Sequence, residues 1–357
     1  MNFLDRLELW SKDKEDFLNN FRFDPYFIAE IGVNHEGSIE EAKKLIRSAK
    51  ENGANAVKFQ SYKAEKLTIK NSPAYWDQSK ESTNSQFKLF NKYDSFNSED
   101  YFDLKKFSSE IGIEFLTTPF DLDFVEELDE ILPFYKVASA DITNFPLLKK
   151  ISSKQKPIIL STGASNIEEI KTTLEYLSQF NVQVILNHCV LSYPTQISDA
   201  NLGMILDLKN KFSNMIGYSD HTVPDDDYLV LICAISLGAV LIEKHFTLDK
   251  KLPGNDHYHA FDGNDLKSYK NKLQKLKLIT GKQLKEVLDV ELPARENARR
   301  SLVFSENFEQ DTKISENMMI AKRPGGGISP SKFNEYIGKT LKVSVKKDEV
   351  IKDDHFL

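Results

Sequence analysis

From residue 26 onward, the hydrophobic positions of the chain alternate between two patterns. Short apolar runs rich in β-branched and aromatic residues are separated by stretches with apolar residues at helical spacing, such as 39–52 and 167–180. Eight short runs can be counted, at 27–33, 56–62, 113–119, 135–140, 157–162, 182–189, 215–220 and 239–246. Strands that alternate with helices predict βα units around a parallel sheet.

The helical stretches also carry start and stop signals. Ser38 precedes Glu40 and Glu41 as an N-cap would, Asn166 is followed by acids in the same way, and Gly53 follows its helix like a C-cap. Eight βα units within about 250 residues fit a closed barrel better than an open doubly wound sheet. The sequence therefore predicts an α/β protein with a (β/α)8 TIM barrel over residues 26–281.

Four other segments do not follow this pattern. Residues 1–25 form an N-terminal extension, 282–297 is predicted to be a linker, and 298–357 is a small β-rich domain. The polar and aromatic segment 72–96 follows the second strand and lacks a clean helical period. A connection this long in a barrel is expected to form an active-site wall or lid.

Composition restricts the class of protein. The chain has 357 residues, 40% of them hydrophobic, and no run of about 18 apolar residues or secretory signal, so we expect a cytoplasmic protein without a membrane partner. A net charge of −7 argues against a nucleic-acid partner. Cys189 and Cys233 lie in apolar runs and are expected to be buried thiols rather than reactive groups.

Polar residues at the predicted strand ends are the candidates for chemistry, because active sites of such barrels lie at the carboxyl ends of the strands. His221 and His245 lie near the ends of the adjacent seventh and eighth strands and could hold one divalent metal. Taken alone, two histidines so placed are more often ordinary polar barrel residues. The remaining histidines, including His257 and His259, are not expected to displace this pair.

Lys58 and Lys136 lie near the ends of the second and fourth strands. With nearby serines they would supply cations and hydroxyl donors to a phosphorylated, carboxylated ligand. Two other interpretations stay open at this point. The lysines could form buried pairs with acids, Glu30 being the natural partner of one, or one of them could be the Schiff-base lysine of an aldolase.

Seven segments resemble those of a known family. They are Ile28-Ala29-Glu30-Ile31-Gly32-Val33-Asn34-His35, Val57-Lys58-Phe59-Gln60, Thr117-Thr118-Pro119-Phe120, Tyr135-Lys136-Val137-Ala138-Ser139, Leu160-Ser161-Thr162-Gly163, Gly217-Tyr218-Ser219-Asp220-His221 and Glu243-Lys244-His245-Phe246. In this order they are similar to the sialic acid synthase family, which comprises N-acetylneuraminate, legionaminate and pseudaminate synthases. The segment 322–328 resembles the antifreeze-like SAF domain, which would make 298–357 a SAF domain.

The resemblance implies a transferase that condenses phosphoenolpyruvate with an N-acetylated amino-sugar aldehyde and water. The products would be phosphate and a nine-carbon acidic sugar of the sialic type. The acceptor would be N-acetylmannosamine or, as an alternative, a 2,4-diacetamido-2,4,6-trideoxyhexose leading to legionaminic- or pseudaminic-type acids. A protein of another class, a non-catalytic carbohydrate-binding or scaffold barrel, remains the competing hypothesis.

The same resemblance implies roles for particular residues. Glu30 would handle the water or a proton, and His221 and His245 would bind manganese, with magnesium or cobalt as alternatives. Lys58 and Thr118 would bind the carboxylate of phosphoenolpyruvate. Its phosphate would be bound by Lys136, Ser139, Ser161 and Ser219. The sugar would be bound by Tyr193 and Asp256 of the same chain and by Arg323 of the partner subunit. The last assignment implies a homodimer with exchanged SAF domains. Leu191 departs from the family pattern, since relatives often carry a phosphate-contacting Asn or Ser there.

Overall fold

The computed structural model describes residues 1–254, 256–282 and 284–357. The chain divides into two compact units, Met1–Thr280 and Gly281–Leu357. Within the described residues, no helix combines the length and the apolar character needed to cross a membrane.

The first unit contains eight parallel strands that form a nearly closed barrel. β1 pairs with both β2 and β8, while β3 and β4, at the two ends of the ladder, pack against each other. The (β/α)8 fold predicted from the sequence is confirmed. The strands are β1 Tyr26–Gly32, β2 Ala56–Ser61, β3 Glu114–Pro119, β4 Tyr135–Val137, β5 Ile158–Ser161, β6 Val184–Cys189, β7 Ile216–Asp220 and β8 Leu241–His245.

Helices precede the barrel and connect its strands. Their apolar faces pack against the strands, and caps begin them where the sequence indicated: Ser38 accepts a hydrogen bond from the backbone N–H of Glu41, and Asn166 does so from Glu169. The helices are α1 Phe3–Lys12, α2 Lys14–Phe21, α3 Ile39–Glu51, α4 Ala64–Leu67, α5 Gln86–Tyr93, α6 Ser98–Ile111, α7 Leu122–Glu127, α8 Phe145–Ser152, α9 Ile167–Ser178, α10 Gly203–Lys211, α11 Leu229–Ser236 and α12 Gly263–Thr280.

Two elements differ from the sequence-based expectation. The fourth strand ends at Val137 rather than at residue 140, because the chain turns into a short 3-10 helix, Ser139–Asp141, which starts with a predicted site residue. The segment 72–96, which lacks a clean helical period in the sequence, contains α5. This helix has only eight residues, too few for the spacing of Leu89, Phe90 and Tyr93 to stand out within the long segment.

The N-terminal extension closes the end of the barrel at which the strands begin. Phe3, Leu7 and Phe17, from α1 and α2, are fully buried in a cluster with residues at the starts of the strands, among them Tyr26 and Phe134. The ring centres of Phe3 and Phe134 are 4.2 Å apart. The two helices therefore supply the floor of the barrel core, and we call them the N-terminal plug.

This packing predicts unequal costs for two substitutions in α1. Leu7→Ala should lower the free energy of unfolding by about 2–5 kcal/mol, because Leu7 is buried and its truncation leaves a cavity under the barrel. Leu4→Ala is the matched control; Leu4 is 39% exposed, and its truncation should cost well below that range. Urea denaturation followed by circular dichroism measures both, and equal costs would contradict the packing of the plug.

The second unit has its own small core. Helix α13 Leu292–Ala298 lies within the segment predicted as a linker and is followed by the antiparallel pair β9 Ser301–Phe304 and β10 Met319–Lys322. The core includes Leu302, Phe304 and Leu341. Short 3-10 helices and isolated bridges, rather than long strands, make up most of the remaining structure in the region predicted to be β-rich.

Candidate active site

A cavity of about 610 Å³ lies at the carboxyl ends of the barrel strands. It gathers every barrel residue that the sequence singled out as a site residue, because parallel strands deliver their ends to one face of a barrel. These residues are Glu30, Lys58, Thr118, Lys136, Ser139, Ser161, Tyr193, Ser219, His221, His245 and Asp256. Arg323 belongs to the second compact unit, where its side chain is exposed.

Two lysines and two glutamates form a buried network in this cavity. Lys58 Nζ lies 2.5 Å from Glu30 Oε2 and 3.9 Å from Glu243 Oε1, and Lys136 Nζ donates to Glu243 Oε1 over 3.2 Å. The lysine–acid pairs considered from the sequence are therefore present, and they line the cavity. Their charges cancel while all four groups face a space large enough for a ligand.

The two carboxyl groups differ in their affinity for protons. Burial raises the pKa of Glu30, with Lys58 opposing that shift and Glu243 adding to it. Burial acts to raise the pKa of Glu243 as well, but Lys136 and Lys58 outweigh it and hold that pKa below its usual value. Two acids whose surroundings push their pKa values apart are suited to different roles, and the raised pKa of Glu30 suits it to carry a proton.

Glycine permits the close approach of Glu30 and Gln60. Gln60 Nε2 donates to Glu30 Oε1 over 3.1 Å, and Gly32, with φ +55°, sits against this pair. A Cβ at residue 32 would lie 3.2 Å from Gln60 Nε2 and would be strained by the positive φ. Gln60 thus orients Glu30, a role that the sequence reasoning did not assign.

Hydroxyl groups surround the two lysines. Thr118 accepts from Lys58 over 3.0 Å, and Ser219 donates to Glu243 over 3.0 Å. Ser139 accepts from the backbone N–H of Gly163. The buried hydroxyl of Ser161 makes no hydrogen bond to any part of the chain that the structure describes. A buried hydroxyl that borders a cavity without a protein partner is suited to bind a ligand.

The imidazoles of His221 and His245 lie next to each other, with ring centres 5.6 Å apart. His221 Nδ1 donates to the carbonyl of Val190 over 2.8 Å, which leaves Nε2 as a lone-pair donor. Burial lowers the pKa of His221 to about 4. The pKa of His245 is lowered well below its usual value, mainly by burial and in addition by the neighbouring His259 and His221. Both rings are therefore neutral, as metal ligands must be.

A carboxylate and a third imidazole adjoin His245. Asp256 Oδ2 lies 3.8 Å from His245 Nδ1, and donor atoms of His245, Asp256 and His259 all lie within 4.8 Å of one another. Imidazole nitrogens with a carboxylate fit a divalent transition metal. The sequence reasoning left His259 out of the site, because its position there depends on how the chain returns to the barrel after the last strand.

Aromatic and apolar side chains form the outer wall of the cavity. The segment 72–96 contributes Tyr75, Trp76 and Tyr93, as expected of an active-site wall, and the ring centre of Tyr75 lies 6.5 Å from that of Tyr193. Leu191, which departs from the family pattern, also lines the cavity. The further apolar lining comes from Leu67, Leu89, Phe90 and Phe120.

The fold and the cavity define a class, that of (β/α)8-barrel enzymes whose paired lysines, hydroxyls and imidazoles converge at the carboxyl ends of the strands. The model of the NeuB family matches residues 45–285 and that of the SAF domain matches 299–357. The chain belongs to the NeuB family, the phosphoenolpyruvate-dependent synthases of the sialic acid type. The family resemblance and the SAF domain predicted from the sequence are both confirmed.

Similar proteins from three bacteria cover most of the chain. Proteins named N,N'-diacetyllegionaminic acid synthase from Campylobacter jejuni and Legionella pneumophila are 36% and 34% identical to it, over 91% and 92% of this chain and 98% and 94% of theirs. The crystal structure of an N-acetylneuraminic acid synthetase from Leptospira borgpetersenii is 32% identical, with a TM-score of 0.67 over 76% of this chain and 90% of that one.

Proposed function

We propose that this enzyme condenses phosphoenolpyruvate with a 2,4-diacetamido-2,4,6-trideoxyhexose to give a legionaminic-type acid. The condensation itself follows from membership of the NeuB family, and the choice of acceptor is the proposal. The observation that supports it is the apolar and aromatic wall of the cavity. N-acetylmannosamine is the competing acceptor.

Lys58 and Lys136 are proposed to hold the two anionic ends of phosphoenolpyruvate. Lys58 and Thr118 would bind the carboxylate, since they already share a hydrogen bond at one side of the cavity. Lys136, Ser139, Ser161 and Ser219 would bind the phosphate. The buried hydroxyl of Ser161, which has no hydrogen-bond partner among the described residues, supports this assignment, as does the ability of a lysine to act as a compact cation for phosphate.

Glu30 is proposed to manage the proton and the water of the reaction. The enol carbon of phosphoenolpyruvate forms a bond to the aldehyde carbon, the aldehyde oxygen gains a proton, water adds to the former enol-ether carbon, and phosphate leaves with cleavage of its C–O bond. Because Glu30 has a raised pKa and is held by Lys58 and Gln60, it can carry a proton between these atoms.

His221 and His245 are proposed to bind manganese, consistent with their neutral, adjacent rings. A divalent ion at this point would make the aldehyde carbon more electrophilic by polarising its oxygen. Tyr193 and Asp256 would hold the sugar. The ring of Tyr193 lies against His221, with centres 4.2 Å apart, which brings a hydroxyl-bearing aromatic beside the metal ligands.

The choice of acceptor depends on apolar contact. The 2,4-diacetamido sugar carries a second acetamido methyl group and a methyl in place of the hydroxymethyl at C6. Each such group gains about 0.8 kcal/mol when buried against an apolar surface. Residues Leu89, Phe90 and Leu191 offer that surface, whereas a chain of hydroxyls would need polar partners there.

The assembly and location are proposed on the family pattern. We propose a cytoplasmic homodimer with exchanged SAF domains, in which Arg323 of the partner subunit reaches the sugar side of the cavity. Mixing an Arg323→Ala variant with a Glu30→Gln variant tests this directly. If each cavity needs both chains, mixed dimers should regain activity that neither variant has alone, and no regain would contradict the exchange.

The decisive assay is phosphate release from phosphoenolpyruvate with manganese. The 2,4-diacetamido sugar, N-acetylmannosamine and no acceptor are compared, each with and without EDTA, and Glu30→Gln serves as the inactive control. We expect release that depends on acceptor and metal, with kcat/KM at least about 10-fold higher for the diacetamido sugar. Higher kcat/KM for N-acetylmannosamine would overturn the acceptor assignment, and silence with every sugar would favour a non-catalytic barrel.

A further inference from the structure

We propose that His259 is a direct ligand of the divalent metal, together with His245 and Asp256. The inference rests on the proposed metal site and extends it by two residues, His259 and Asp256, that the pair His221 and His245 does not include. Asp256 would bind the metal through one carboxylate oxygen and the sugar through the other. It concerns how the chain holds the ion, and it can be tested without substrate.

Distance is the first argument. The donor atoms of His245, Asp256 and His259 lie within 4.8 Å of one another, and the ring centres of the two histidines are 4.9 Å apart. Donor atoms that bind one ion at about 2.1 Å are separated from each other by roughly 3–4 Å. Small side-chain movements, of about an ångström, would therefore bring these three donor atoms to the spacing that one ion requires. The ring of His221, with its centre 5.6 Å from that of His245, lies slightly farther away.

The backbone holds His259 at this point. The segment after β8 folds back so that Phe261 N donates to the carbonyl of His245 over 2.8 Å and Thr247 N donates to Phe261 O over 2.9 Å. His259 therefore lies two residues before Phe261, whose backbone is hydrogen-bonded to the end of β8, and this pairing fixes the position of the segment. On the other side, Asn34 Nδ2 donates to the carbonyl of Asp256 over 3.3 Å.

Burial and chemistry are the second argument. His259 is 0% exposed and His245 is 5% exposed, so two imidazoles and a carboxylate share a region with little water. A divalent ion satisfies such a group, because neutral nitrogens and an anionic oxygen are its preferred donors. His257 lies outside this group: its Nδ1 is 2.8 Å from Thr247 Oγ1 and its Nε2 is 3.4 Å from Glu36.

A further imidazole changes which metals the site selects. Magnesium prefers oxygen ligands and water, whereas each added imidazole nitrogen shifts a site towards transition metals. The geometry therefore points to a transition metal rather than magnesium as the ion that binds here.

The test measures metal binding to the full chain without phosphoenolpyruvate or sugar. Mn²⁺ and Co²⁺ affinities are determined by competition with a chelator, and the Co²⁺ complex is characterised by its visible absorption spectrum. His259→Gln removes the ligand, and His259→Cys replaces it with another donor. Tyr258→Phe, a neighbour in the same segment, is the matched control. Thermal melting of the metal-free proteins checks that each variant is folded.

We expect His259→Gln to weaken metal binding by at least about 100-fold, more than the roughly 10–100-fold typical of residues that only hydrogen-bond to a ligand. It should also shift the Co²⁺ spectrum, while His259→Cys should recover affinity and show a new thiolate absorption. Tyr258→Phe should match the wild type.

Three results would overturn the inference. An unchanged affinity and spectrum in His259→Gln would show that His259 is not a ligand, while phosphate release by the wild type would still support the proposed function. A weaker affinity with an unchanged Co²⁺ spectrum would make His259 a positioning residue. A wild-type protein that binds no Mn²⁺ or Co²⁺ would refute the site altogether, and the phosphate assay would then decide the proposed function separately.

Discussion

Glu30→Gln is expected to lower kcat for phosphate release by about 10³-fold, within the range that general acid–base groups contribute. Glutamine keeps the size of the side chain and can still meet Gln60 and Lys58, but it cannot carry a proton. Binding of phosphoenolpyruvate, measured by calorimetry, should be preserved or tightened, since the substitution removes the carboxylate that lies 2.5 Å from Lys58 Nζ.

Asp141→Asn is the matched control for this prediction. Asp141 is another carboxyl group on the cavity wall; burial raises its pKa, and Asn144 donates a hydrogen bond to it. Because it does not belong to the lysine–glutamate network, its replacement should change kcat by less than about 10-fold, with any larger effect on the KM for the sugar. Equal losses of kcat in both variants would remove the special role of Glu30.

Lys136→Met should mainly weaken ligand binding, whereas Lys244→Met should mainly lower stability, although each removes a buried lysine paired with a buried acid. Lys136 lines the cavity, and its loss should weaken phosphoenolpyruvate binding by about 30-fold or more, the lower end of the cost of truncating one partner of a buried charge pair. The stability cost should be smaller, because Glu243 keeps its hydrogen bond from Ser219 and its contact with Lys58.

Lys244 has a structural position. Its Nζ lies 2.6 Å from Asp220 Oδ2 and donates to the carbonyl of Thr222, and the residue does not line the cavity. Lys244→Met leaves the buried carboxylate of Asp220 without its cationic partner, so the free energy of unfolding should fall by about 3–5 kcal/mol. Calorimetric titration and urea denaturation of both variants separate the two cases. Similar behaviour of the two proteins would contradict the division between site and scaffold.

The order of apolar runs and helical stretches was enough to predict the barrel, because each βα unit leaves a local signal. The convergence of Glu30, Lys58 and Lys136 was predictable too, since parallel strands fix where their ends meet. Glu243 could have been found from the same rule: β8 alternates, so Glu243 and His245 face the cavity while Lys244 does not.

Other features of the site left no such local signal. The position of His259 depends on the return of the chain from residue 247 to a pairing between Phe246 and Phe261, and nothing in the intervening residues encodes that return. The role of Gln60 depends on the positive φ of Gly32 in the neighbouring strand. Both are contacts between segments whose approach only the folded barrel defines.

The N-terminal plug and the cavity lie at opposite ends of the barrel. Phe3, Leu7 and Phe17 fill the floor, whereas the outer wall of the cavity, which includes Tyr75 and Leu191, lies at the opposite mouth. Changes that redesign the mouth for new sugars will often erode stability. Substitutions that stabilise the floor lie far from the cavity and can offset this loss of stability. Libraries of variants with altered cavity residues can therefore start from a protein whose N-terminal plug has been stabilised.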